Sequence, residues 1–162
     1  MNSKTKIVLA DDMEPILLYL EKILSDIPEF EVIGKAKNGN ELVDLVINNE
    51  PQLVITDVEM PGCSGIQAIE KLNELKIKTK YILVTGNGTS IMTCKAKSMG
   101  VIKIITKPIT NDEKFIEQVK EVVSSKGEEE ILIERVTPCI RACKNGKENI
   151  LSKIVKRVKG NR

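Results

Sequence analysis

Five side chains in this 162-residue chain could act together on one substrate group, although they lie as far apart as positions 11 and 107. Asp11 and Asp12 follow the apolar run Ile7-Val8-Leu9-Ala10, and Asp57 follows Leu53-Val54-Ile55-Thr56. Thr85 closes Tyr81-Ile82-Leu83-Val84, and Lys107 comes directly after Thr106. Singly, none is informative: paired aspartates after a strand are commonly turn or cap residues, and a lone lysine is commonly a solvated charge. Brought together, three carboxylates would repel by on the order of a few kcal/mol per close pair unless a cation intervened. An all-oxygen site of that kind suits magnesium, which keeps some waters and often completes its octahedron with substrate phosphate. A carboxylate can attack phosphorus while a lysine neutralises the transferred oxygens and a threonine hydroxyl bonds to one of them. The candidate chemistry is therefore the handling of a phosphoryl group.

Composition removes the main competitors. The chain has no histidine, so Ser-His-Asp and Cys-His catalysis, histidine-ligated zinc and a phosphohistidine of its own are excluded. The longest apolar run, 16–20, falls far short of the roughly 18 residues of a membrane span. The apolar stretch 7–10 is too short for a signal-peptide core. The expected location is the cytoplasm, where Cys63, Cys94, Cys139 and Cys143 would be thiols. Cys139 and Cys143 could share a helix face, but no two further soft ligands stand nearby. Cys63 reads as an incidental thiol, and Gly62 and Gly65 around it as turn residues, since their spacing matches no P-loop.

The elements that must position the five residues can be read from periodicity. Apolar, β-branched runs at 6–10, 31–36, 53–56, 81–85 and 101–106 are nearly continuous, as expected of parallel strands covered on both faces. Between them, Ile16, Leu17, Leu20, Ile23, Leu24 and Ile27 form a helical stripe after Pro15. Asn40 is expected to cap a second helix reaching Asn49, and Ser64 or Gly65 to open a third with Ile66, Ile69 and Leu72 on one face. A fourth helix is expected over 89–99, stopping at Gly100. The last is expected to begin with a capping box from Thr110 to Glu113 and to bury Ile116, Val119 and Val123. Strict β-α alternation implies an α/β, doubly wound, flavodoxin-like parallel sheet of order 2-1-3-4-5. Its ligand site should lie outside the carboxyl ends of the strands, where all five polar candidates fall.

The runs "KIVLADD", "LVITDVEMPGCSG", "YILVTG" and "IKIITKP", in that order over about 110 residues, resemble the receiver domain of two-component response regulators. The resemblance implies that Asp57 is the phosphoacceptor, that Asp11, Asp12, Asp57 and the backbone carbonyl of Glu59 hold Mg2+, that Thr85 is the switch hydroxyl, and that Lys107 contacts the phosphoryl group. It also implies a cis Lys107-Pro108 bond and, as donor, a phosphohistidine on a sensor histidine kinase or histidine phosphotransfer protein. The chain would then be a phosphoprotein with at most slow autodephosphorylation rather than an enzyme. Its readout, and a homodimer contact, would use the face of helix 4, strand 5 and helix 5. Many receivers carry Tyr or Phe three residues before the lysine, where this chain has Ile104, which removes the aromatic half of the expected switch. An Asp-nucleophile phosphohydrolase of the haloacid-dehalogenase type would also combine Asp, Thr, Lys and magnesium, and Asp57-Val58-Glu59 imitates its motif. That class, however, places its nucleophile early and its acidic pair late, the reverse of the order here.

The net charge of +2 is a sum of unlike parts. Residues 1–125 hold 15 basic and 18 acidic side chains, net −3, whereas 126–162 hold 10 and 5, net +5. The change falls at the linker-like run Ser124-Ser125-Lys126-Gly127-Glu128. The expected organisation is a receiver domain over 1–125 and a basic, partly helical extension over 126–162. In the extension, Ile150, Leu151, Ile154, Val155 and Val158 form an apolar stripe, with Lys147, Lys153, Lys156, Arg157 and Lys159 mostly around the other face. Such a tail could pack on the domain or a protein partner, or contact DNA, as in a transcriptional regulator.

Overall fold

The computed structural model describes residues 3–125; the expected tail helix and the pair Cys139 and Cys143 lie outside the described residues. Strands β1 (Thr5–Ala10), β2 (Phe30–Ala36), β3 (Leu53–Asp57), β4 (Lys80–Thr85) and β5 (Val101–Thr106) alternate with helices α1 (Glu14–Ser25), α2 (Gly39–Asn49), α3 (Gly65–Glu74), α4 (Ser90–Ser98) and α5 (Asp112–Ser124). All neighbouring strands pair in parallel in the order β2-β1-β3-β4-β5. This is the doubly wound, flavodoxin-like arrangement that the alternation implies.

The period of two along each strand divides the core into two layers. Val8, Ala10, Val54 and Leu83 face one side with Leu42, Val46, Ala68, Ile69 and Leu72 from α2 and α3. Ile7, Leu9, Ile55 and Ile82 face the other, under Leu17, Leu20 and Leu24 of α1 and Phe115 and Val119 of α5. Both faces are covered, which is why the strand sequences are apolar runs rather than alternations. α4 is the least anchored helix: Ala96 is its one fully buried side chain, and Ile91 at its start is 84% exposed.

Two helix starts differ from expectation. α2 is capped by Asn38, whose side chain accepts the N–H groups of Asn40 and Glu41, while the Glu41 carboxylate accepts the Lys37 N–H. Asn40 already belongs to the helix, and its side chain instead accepts the Lys71 ammonium at 3.0 Å. α5 is capped by Asn111, which accepts the Lys114 N–H at 2.8 Å, so the capping position is one residue later than Thr110. The bulkiest apolar side chain of α5, Phe115, takes the interior with Val119 and Val122, and Ile116 and Val123 flank it half-buried. The far end of α5 has no basic residue of its own in its last turn. Lys80, at the start of β4, supplies one, donating to the carbonyls of Val122, Val123 and Ser125 at 2.7–3.0 Å. Among the described residues, no helix is long and apolar enough to cross a membrane.

Candidate functional site

The five candidate residues owe their places to the ends of four strands. Asp11 and Asp12 follow β1 and Asp57 ends β3; one carboxylate oxygen from each lies within 4.8 Å of the other two. Thr85 ends β4, and its buried hydroxyl accepts the Asn87 N–H at 3.2 Å. Lys107 follows β5, held at its backbone by an N–H donated to the Thr85 carbonyl at 2.8 Å. The Lys107-Pro108 bond is cis, as the resemblance implies. The sheet thus sets all five residues that the sequence pattern singles out at one edge, and it brings the carboxylates of Asp11, Asp12 and Asp57 and the Lys107 ammonium into one cluster.

The electrostatics of the cluster are dominated by one cation. The Lys107 ammonium donates to Asp57 Oδ2 at 2.6 Å and to Asp11 Oδ2 at 2.7 Å. Asp11 and Asp57 are buried and Asp12 is exposed. At an effective dielectric constant of about 20, each carboxylate pair inside this distance repels by at least about 3 kcal/mol, and each ammonium contact attracts by about 6 kcal/mol. One lysine therefore offsets the repulsion between its two partners, but three carboxylates and one ammonium still leave the pocket short of two positive charges. Burial works to lower the Lys107 pKa, but the hydrogen bonds and charges of Asp11 and Asp57 outweigh it and leave the value raised, so the group stays an ammonium at neutral pH. The oxygen-only donor set suits a hard divalent cation.

Backbone groups complete the pocket floor. The Met13 N–H donates to Asp11 Oδ1 at 2.9 Å, and the Glu59 N–H donates to Asp57 Oδ1 at 3.3 Å. Thr56, fully buried, donates its hydroxyl to the Asp57 carbonyl at 2.9 Å. Gly65 opens α3 against that same carbonyl: a Cβ there would lie 2.0 Å from the Asp57 oxygen and 2.8 Å from Thr56 Oγ1. Gly39 does likewise for α2, where a Cβ would lie 2.4 Å from the Cys63 carbonyl that accepts the Gly39 N–H. Cys63 itself is buried. Gly62 is a turn residue with a positive φ of 75°, whereas Gly65 is required by close approach rather than by turn geometry. Nothing in the sequence around Gly39 and Gly65 signals these approaches, because they depend on how two helices meet one loop.

Residues 7–120 match the response regulator receiver domain family, and the chain belongs to that family. A transcriptional regulatory protein of Bacillus subtilis, YesN, is 33% identical over 74% of this chain and 32% of its own length. A protein-glutamate methylesterase/protein-glutamine glutaminase of Methanococcus maripaludis is 37% identical over 76% of this chain and 36% of its own length. The chain thus spans about a third of the curated relatives it matches. The crystal structure of the response regulator domain of Thermotoga maritima CheB superposes with a TM-score of 0.69 at 26% identity, covering 76% of this chain and 99% of that one.

The contact at Gly65 is testable without any ligand. Gly65→Ala should lower the urea midpoint at unchanged m, by about 1–3 kcal/mol of stability, because the Asp57 backbone must move to admit the methyl. An unchanged midpoint would show that the approach is loose.

Proposed function

We propose that this receiver takes a phosphoryl group from a phosphohistidine onto Asp57. The observation that carries the reading is the Lys107 ammonium seated between Asp57 and Asp11, beside a third carboxylate, with Thr85 at the end of the neighbouring strand β4. In the transfer, an Asp57 carboxylate oxygen forms a bond to phosphorus as the donor's N–P bond breaks. The electron pair of that bond returns to the imidazole of the kinase or phosphotransfer protein. Asp11, Asp12, Asp57 and the Glu59 carbonyl would hold Mg2+, whose charge, when bound, neutralises phosphoryl oxygens that this acidic pocket would otherwise repel. Lys107 exchanges a carboxylate contact for a phosphoryl oxygen, and Thr85 donates its hydroxyl to another. Hydrolysis of the resulting acyl phosphate would be slow, and no other catalytic turnover is proposed.

The signal would leave through the loop 86–89 and α4. That loop is exposed, a Cβ at Gly86 would meet nothing within 4 Å, and α4 is thinly anchored, so both have room to rearrange around a phosphoryl group. Ile104 is half-buried and packs, like Met92 and Met99, against the α2–α3 side of the core, so this position offers no aromatic ring to the switch. Helix α4, strand β5 and helix α5 would form the readout and homodimer face of a cytoplasmic regulator of two units, 1–125 and 126–162. Incubating the chain with Mg2+ and acetyl phosphate should add the mass of one phosphoryl group to the wild type and none to Asp57→Asn. Addition to neither, or equally to both, would remove the phosphoacceptor assignment.

A second reading of the output is that residues 126–162 contact DNA. It is supported by their net charge of +5 and by the likeness to a transcriptional regulator. Retention on duplex DNA should then weaken steeply with salt and vanish when residues 147–162 are deleted. Retention that survives the deletion would place the contact elsewhere, and no retention at all would leave a protein partner as the output.

A further inference from the structure

Tyr19 lies in α1, with its half-buried ring packed against the core between α1 and α5. Its hydroxyl donates to the Asp112 carboxylate in the first turn of α5 and lies 3.5 Å from the Ile109 carbonyl. Ile109 belongs to the connection that leaves β5 through Lys107, and Asp112 is the first residue of α5, directly after the cap residue Asn111. Upstream, the Lys107 N–H is bonded to the Thr85 carbonyl. The segment carrying Lys107 is thus held at its start by β4 and at its end by α1. The same helix begins three residues after Asp11, whose carboxylate accepts the N–H of the helix's N-cap residue Met13. One rigid element therefore touches both sides of the Lys107–Asp11 contact, 2.7 Å long.

We propose that Tyr19 is a positioning residue for Lys107: by holding Asp112 from α1, its hydroxyl fixes the end of the segment from which the ammonium reaches the Asp57 pocket. The inference rests on the reading of Asp57 as phosphoacceptor only for its effect on phosphoryl uptake, since the tether itself is a property of the free chain. A lysine side chain has four rotatable bonds, so the protein aims its ammonium mainly through where the backbone stands. A displacement of a fraction of an ångström is enough to slow a transfer that depends on alignment. The hydrogen bond to Asp112, then burial, then the Asp112 charge push the Tyr19 pKa from 10.0 up to about 12, so the phenol remains a donor through the neutral range. Because the folded value is the higher one, the contact adds stability that is fully present below pH 10 and is lost as the pH rises to about 12.

Tyr19→Phe keeps the ring and deletes only the tether, which makes it the informative variant. In the full chain with acetyl phosphate, the rate of phosphoryl uptake at saturating Mg2+ should fall about three- to tenfold, the worth of one lost hydrogen bond. Amide exchange over residues 109–113 should quicken while that of residues 81–85 does not change. An absorbance titration of the two tyrosines, Tyr19 and Tyr81, should show one midpoint near 12 in the wild type that moves towards 10 in Asp112→Asn. Wild-type uptake together with wild-type exchange over 109–113 in Tyr19→Phe would overturn the proposal, as would a titration indifferent to Asp112→Asn. If the wild type itself takes up no phosphoryl group, the phosphoacceptor reading fails, and exchange and titration still decide the tether.

Discussion

The constraint on which this protein is built is a charge deficit. Three carboxylates stand at the carboxyl edge of one sheet, two of them buried, and a single ammonium bridges those two. A stable fold could have placed apolar or neutral side chains at every one of these positions and avoided the repulsion. The arrangement is strongly acidic after Lys107 has been counted, and the residual charge is what makes it receptive to a divalent cation. The rest of the pocket keeps this cluster in register. Gly65 and Thr56 fix the carbonyl of Asp57, the Met13 and Glu59 N–H groups orient the two buried carboxylates, and Thr85 holds the backbone of Lys107.

The surrounding fold divides its stability unevenly. The central strands β1, β3 and β4 are buried on both faces, and α1, α2, α3 and α5 each contribute at least two fully buried apolar side chains. α5 is further fixed at its far end by the three carbonyl contacts of Lys80. Against that frame, α4 and the exposed loop before it are held by few apolar contacts, with Ala96 the sole fully buried anchor of the helix. The site residues stand on well-packed elements and the thinly held element lies next to Thr85, a distribution suited to converting a local charge change into a surface change.

Much of this was legible in the sequence because the signals are local. Continuous apolar runs identify buried parallel strands, their polar last residues identify the site edge, and the spacing of four short motifs identifies the family. What the sequence withheld depends on contacts between distant segments. The α2 cap falls on Asn38 rather than Asn40 because Glu41 reaches back to the Lys37 N–H, so that two nearly equivalent asparagines are separated only by the loop's path. The inward face of α5 turns on Phe115 because the largest apolar side chain gains most by burial. Gly39 and Gly65 look like generic helix-start glycines until the β3–α3 loop is seen against them, and Tyr19 looks like an ordinary edge of an apolar stripe until the Asp112 carboxylate is opposite it.

The claim that Lys107 leaves the carboxylate cluster short of positive charge is tested most directly by unfolding at equal ionic strength with and without Mg2+. For the wild type the urea midpoint should rise with Mg2+ concentration in the manner of a ligand bound only by the folded state. Asp12→Ala, which removes an exposed carboxylate, should show a clearly weaker rise. A wild-type midpoint indifferent to Mg2+, or one that Asp12→Ala raises equally, would contradict the account.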